Sequence, residues 1–326
     1  MRINSLLFQS LIYLSLPLFL FSVGFLRWYV AIIMVGAILY STYSIYTLHS
    51  SKDTNWKLNR GQVAGAIFVA LFCCFFLGVS GYWSQSYDWV VKNPLLNELT
   101  YSPWPLVVDN SRASIEVKEI CGEDRVGLVY YLFFYLPAAV VGKTFGSIAL
   151  ARFALFLWSF YGVVLLLCWL LHFVSQTSLK RSQTILVFVC FIAWGGMDII
   201  GQCLRVVVLW ILGISPIRPT SWLDEWCQPY FTYYASHFTS LYWCFNQSIP
   251  LWLEMFLIIS FRNIRTVGYF YCFSLLYSPW AAIGLLPIVG IMVFDNLKKN
   301  GWKTVPQMYS FSNIIFPMLV LFLTNR

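Results

Sequence analysis

The sequence predicts an all-α protein, a polytopic transmembrane helical bundle of about nine spanning or re-entrant segments with interfacial helices in a large first outer loop. Three observations predict it. The 326 residues are 60% hydrophobic and 10% charged, where a soluble domain carries about 25% charged residues. Apolar runs of spanning length recur along the whole chain. Aromatics reach 19%, with 15 Trp, as in a chain with extensive membrane–water interface. The formal charge of +8 does not point to nucleic acid, because the basic residues gather in short loops between apolar runs. Membrane lipids are the expected surroundings. Residues 1–326 read as one transmembrane domain, with no internal repeat and no low-complexity tract.

A spanning helix needs about 20 mainly apolar residues. Leu6 to Val23 qualifies, and no small-residue cleavage site follows it, so it reads as a retained helix. Trp28 to Tyr46 follows after a tight link holding Gly24 and Arg27. The loop HSSKDTNWKLNRGQ sets Lys52, Lys57 and Arg60 against Asp53. Short basic loops face the cytoplasm, which places the N-terminus there too, in a multi-pass protein of the plasma membrane. Val63 to Tyr82 crosses to the opposite side, and residues 83–146 form the large outer loop. From Trp83 to Arg125 this loop has seven acidic and four basic residues. Gly127 to Val141 is apolar but only 15 residues long. Ser147 to His172 is a full span ending near Lys180 and Arg181, so residues 127–141 cannot also cross. They are expected to form an amphipathic or re-entrant helix at the outer surface.

Thr184 to Cys203 spans outward, and Arg205 to Gly213 is too short to cross. Residues 215–248 form a second outer loop, dense in Trp and Tyr. Ile249 to Phe261 returns to Arg262 and Arg265. Residues 267–294 are basic at both ends, so they read as two short segments meeting at Ser278–Pro279 near the outer face. Val305 to Leu323 is the last span, and a stop three residues later suits either a complete chain or a shortened relative of a longer one. The inner loops 49–62, 175–183, 262–266 and 295–304 then hold ten of the 21 basic residues and two acidic ones. Of nine cysteines, Cys73, Cys74, Cys168, Cys190 and Cys272 lie in apolar runs as small packing residues. Cys121 and Cys227 fall outside, where they either pair or remain free thiols.

Charged residues within or beside spans are costly and are the first functional candidates. Asp88 and Lys92 share a helical face in QSYDWVVK. They form either an interfacial ion pair, or a general base or metal ligand with a cation near an anionic leaving group. Trp104 can hold this loop at the interface. Asp198 in GGMDIIG must pair or protonate, and Arg205 is its nearest partner, about two helical turns on. Lys143 and Arg152 flank GKTFGSIALAR, as snorkelling anchors or as a phosphate-binding couple. Asp224 and Glu225 are adjacent, so at most one faces a site. Glu225 and Asn246 complete the candidates. His49, His172 and His237 are scattered without zinc-ligand spacing, and the GKT at 142–144 lacks the preceding glycine of a phosphate-binding loop.

This organisation resembles the GT-C-fold membrane glycosyltransferases, which use polyprenyl-phosphate-linked sugars. Asp88 matches their acidic position in the first outer loop, and Leu128, Tyr131 and Tyr135 resemble their interfacial helix. Lys143–Ser147 followed by Arg152 resembles their F-G…A-R element. The sequence departs from that pattern, among other places, at its acidic motif, its interfacial helix and its first spans. Trp89 follows Asp88 where the family often has Glu, the Pro-Pro start is missing from residues 126–129, and two spans precede the one entering the loop. The resemblance implies a lipid-linked sugar donor as partner, Asp88 as base, and Lys92, Lys143 or Arg152 on the donor phosphate. A divalent cation is a possible cofactor with no assignable ligands, so the metal site is unknown. Competing functions are a surface-polysaccharide polymerase or ligase, a transporter or flippase of lipid-linked glycans, and a non-catalytic scaffold. The sugar, the acceptor and the oligomeric state are not legible.

Overall fold

The computed structural model describes residues 1–50, 56–76, 78–83, 85–109, 125–127, 131–174, 179–194, 207–213 and 237–324. Five helices among them are long and apolar enough to cross a membrane, or six if a bent pair near the C-terminus is one span. They are α1 (Ile3–Phe25), α2 (Trp28–Ser50), α6 (Ile148–Val174), α8 (His237–Phe261) and α10 (Pro279–Asn300). The chain is a multi-pass membrane helical bundle. Shorter helices complete it: α3 (Arg60–Phe76), α4 (Trp89–Tyr101), α5 (Leu136–Phe145), α7 (Arg181–Ala193), α9 (Val267–Tyr277) and α11 (Phe316–Thr324). A small antiparallel ribbon pairs β1 (Val107–Asp109) with β2 (Arg125–Gly127).

Helix α6 is the hub, with α1, α3, α5 and α8 packed around it. Small residues let the neighbours approach. A Cβ on Gly162 would lie 2.2 Å from the Tyr13 hydroxyl and 2.6 Å from Ile249 Cγ2. One on Gly142 of α5 would lie 2.6 Å from the Ala151 Cβ of α6. The serines buried in α1 satisfy themselves: Ser10, Ser15 and Ser22 donate to carbonyls four residues back at 2.7–2.8 Å. The Trp169 indole of α6 donates to Ser10 at 2.8 Å, tying hub to α1.

The described parts of the four loops expected inside meet at one end of the bundle. The N-terminal amine donates to the Leu58 carbonyl, and Trp56 lies against His172 with ring centroids 4.4 Å apart. Gln62 reaches the Leu179 carbonyl, His49 meets Thr266 at 3.2 Å, and Arg265 donates to Gln307. The opposite end carries Trp104 against Phe25 and Ser86 against Tyr242. We call these the basic end and the Asp88 end.

The structure corrects several expectations. The segment expected at the surface, 127–141, begins at the end of β2 and from residue 131 runs into the bundle: Leu132 to Leu136, Ala138 and Ala139 are buried among α1, α4 and α6. It carries too few polar residues to show a wet face. The second outer loop does not extend to residue 248, because α8 already begins at His237. The Ser278–Pro279 break is present, with Ser278 capping α10 and Pro279 in its first turn. Its depth differs from expectation. Helix α9 has 11 residues, a rise of about 16 Å or half the bilayer core. The Tyr277 hydroxyl accordingly bonds the Leu14 carbonyl at 3.2 Å, halfway along α1. The hairpin tip therefore sits mid-bundle and not at the outer face. The last expected span is bent by 77° between Trp302–Met308 and Phe311–Phe322.

Candidate functional site

Asp88 stands at the N-cap position of α4 without spending its side chain as a cap. The spacing of four brings Lys92 Nζ to 3.5 Å from Asp88 Oδ2. Exposure separates the partners: the Asp88 side chain is 40% exposed and that of Lys92 is 2%. The carboxylate faces out while the ammonium is committed inward. Lys92 also donates to the Trp243 carbonyl of α8. Its ammonium lies 5.7 Å and 5.3 Å from the ring centroids of Trp89 and Phe245, which stack on each other. Burial draws the Lys92 pKa below the ordinary lysine value, and the Asp88 carboxylate opposes that shift.

The Trp243 carbonyl lies beside a kink in α8, where Cys244 leaves helical geometry at φ −130° and ψ 37°; further along, Pro250 has no N–H to give the Asn246 carbonyl. The helix is interrupted where Lys92 arrives. Asn246 lies just below this break, buried, with Oδ1 unpartnered among the described residues. Chemically, the arrangement aims a half-exposed carboxylate from a rigid seat, as a proton acceptor for an incoming hydroxyl requires.

Lys143 and Trp104 form a separate pole. The Trp104 indole donates to the Leu99 carbonyl at 2.9 Å, beyond which Lys143 Nζ donates to the Ser102 carbonyl and lies 5.4 Å from the Trp104 ring. Ser102 follows the far end of α4, about 20 Å from Asp88 at 1.5 Å per residue. Arg152 is exposed on α6 and engages no described residue by hydrogen bond or ion pair. Thus Asp88 and Lys92 come together, as do Trp104 and Lys143, but the two pairs do not. Asp198, Arg205, Asp224, Glu225, Cys121 and Cys227 lie outside the described residues. Among the described residues, no three His, Cys, Asp or Glu side chains gather to hold a metal ion.

Sequence reasoning passed over Glu254. It is fully buried in α8, and both carboxyl oxygens lack a hydrogen-bond partner among the described residues. Its sequence signature is plain, because it is the single acidic residue of an apolar span. Compared with protein-family models, curated proteins and solved structures, the chain matches none of them.

Proposed function

We propose that this chain is a membrane transferase, acting at its Asp88 end on a lipid-linked sugar in the manner the GT-C resemblance implies. One observation carries the reading: a half-exposed carboxylate held by a buried lysine on a break in α8. In this reading Asp88 takes the proton of the acceptor hydroxyl as that oxygen attacks the sugar carbon and the lipid phosphate leaves. Lys92 fixes the carboxylate and supplies positive field beside the leaving phosphate. Lys143 lies about 20 Å away and so takes no part in that step. Lys143 and Arg152 serve instead as snorkelling anchors at the membrane surface.

The experiment uses the full chain in lipid nanodiscs with fluorescent polyprenyl-phosphate hexoses and glycan acceptors. Asp88→Asn is expected to cut transfer by about 10²-fold or more with thermal unfolding unchanged, since the side chain is half-exposed. Full transfer by Asp88→Asn leaves the pair a structural tie between α4 and α8.

A second reading, translocation of a lipid-linked glycan, is favoured by the re-entrant α9–α10 hairpin beside a buried carboxyl group. Broken helices at mid-membrane depth are the usual build of transporter sites. Liposomes holding a fluorescent polyprenyl-phosphate sugar, quenched from outside, separate the two: a translocator exposes the inner pool without any acceptor.

A further inference from the structure

Helix α8 places Glu254 seven residues before its end at Phe261, about 10 Å in from the basic end. The residue has no exposed surface. The Ser274 backbone of α9 approaches it, yet neither carboxyl oxygen completes a hydrogen bond among the described residues. Tyr271, Cys272 and Tyr277 of α9 face it, and all three are neutral at ordinary pH. The other elements against α8 bring Tyr135 on the turn at 132–135, Arg152, Tyr161, Cys168 and His172 on α6, and Arg181 and Cys190 on α7. On α10 they bring Asp295, Lys298 and Lys299. No described basic side chain forms an ion pair with Glu254. An ionised carboxylate left so is far costlier than a neutral one.

A groove approaches it from the basic end and stops one helical turn short. This groove of about 410 Å³ runs between α6, α8 and α10, with Arg262, Asp295, Asn296 and Lys299 at the basic end and Phe173, Ile258 and Ile288 within. Ile258 is one turn beyond Glu254 on the same face of α8, so the groove ends about 6 Å along the helix from the carboxyl. The other side of Glu254 is Ser274, four residues before the Ser278 break. A charge appearing on Glu254 would therefore act on the half-membrane helix α9.

We propose that Glu254 is a proton-binding site inside the membrane, loaded and unloaded from the basic end through this groove. A carboxyl without an ion-pair partner among the described residues suits a proton, whereas a metal ion needs several anionic or nitrogen ligands. The proposal is independent of the transfer reaction at Asp88, and the tests do not share a readout.

The test is infrared difference spectroscopy on the full chain in nanodiscs, scanned from about pH 5 to about pH 10. A carboxyl band of an apolar site is expected to shrink as pH rises and to vanish in Glu254→Gln. A band that persists in Glu254→Gln, or no titrating band, overturns the proposal. If Glu254→Gln does not fold, the unaltered chain decides. Dicyclohexylcarbodiimide adds to protonated carboxyls in apolar surroundings, and mass spectrometry is expected to find Glu254 modified, by about tenfold less for each pH unit above its titration point. An unmodified Glu254, or modification indifferent to pH, means a sealed structural group.

Discussion

Lys92 reads in sequence as a cation open to an anionic ligand, and in the fold it is buried and holds Asp88 in place. Its stem is buried and its ammonium is shared between Asp88 and the Trp243 carbonyl. Methionine matches its volume and removes the charge. Lys92→Met is expected to fold, with stability within about 1.5 kcal/mol of the parent, because a buried pair returns little over a well-packed apolar side chain. Lys92→Ala leaves a void and an unpaired carbonyl, and is expected to cost about 2–4 kcal/mol. The pH dependence has a definite sign. The folded state holds the Lys92 proton less tightly than the unfolded chain, whose lysine titrates near the ordinary value of about 10.4. Between the two values the unfolded state binds more protons, so this residue's contribution to stability rises with pH in that window. Denaturant unfolding of the parent and of Lys92→Met, compared from neutral to alkaline pH, should show the gap moving in the parent's favour. A gap constant with pH would mean that the ammonium is solvated after all.

At the scale of the element, the break between α9 and α10 was legible and its depth was not. Ser278 before Pro279 is a helix start written in sequence, a capping hydroxyl followed by a residue that donates no N–H. How deep the tip goes depends on how few residues α9 has and on what α8 offers opposite it. The Asp88–Lys92 spacing was likewise readable, but its seat on Trp243 joins residues 151 positions apart through a helix break. The base of the hairpin is locked by Asn313, whose side chain accepts from the Gly268 N–H at 2.6 Å and donates to the carbonyls of Ile264 at 3.0 Å and Met308 at 2.9 Å. Gly268 allows that approach, since a Cβ there would lie 2.0 Å from the Asn313 carbonyl oxygen. Gly268→Ala is expected to destabilise by about 1–3 kcal/mol through overpacking. Asn313→Ala is expected to cost about as much, through the buried groups it strands. Their effects should not add, because both open one contact. Thermal unfolding of the single and double variants measures this, and strict additivity would show that the lock is not shared.

At the scale of the molecule, the ends of the bundle differ in chemistry, and that difference predicts an orientation. The basic end joins the loops around Lys57, Lys180, Arg262 and Lys299 through side-chain and backbone contacts. Lipid-facing surfaces lie between the ends, where α2 exposes Ile32, Ile33 and Leu39 and α10 exposes Ile283 and Ile291. Exposed Trp28 and Trp83 mark the Asp88 end and Trp302 the basic end, as interfacial anchors do. Helix α2, with 23 residues, is about 34 Å long and matches the bilayer core with a slight tilt. Short basic loops stay on the cytoplasmic side, so the basic end is expected to face the cytoplasm and the Asp88 end the exterior. Asn97 on α4 and Lys303 beyond α10 are exposed at opposite ends. Asn97→Cys should therefore react with a membrane-impermeant maleimide on intact cells, above the labelling of the native cysteines. Lys303→Cys should react only after permeabilisation. Reaction of both from the same side would break the bundle as described, while the reverse order would keep the fold and turn it over, moving the Asp88 carboxylate to the cytoplasmic face and with it any transfer reaction that Asp88 supports.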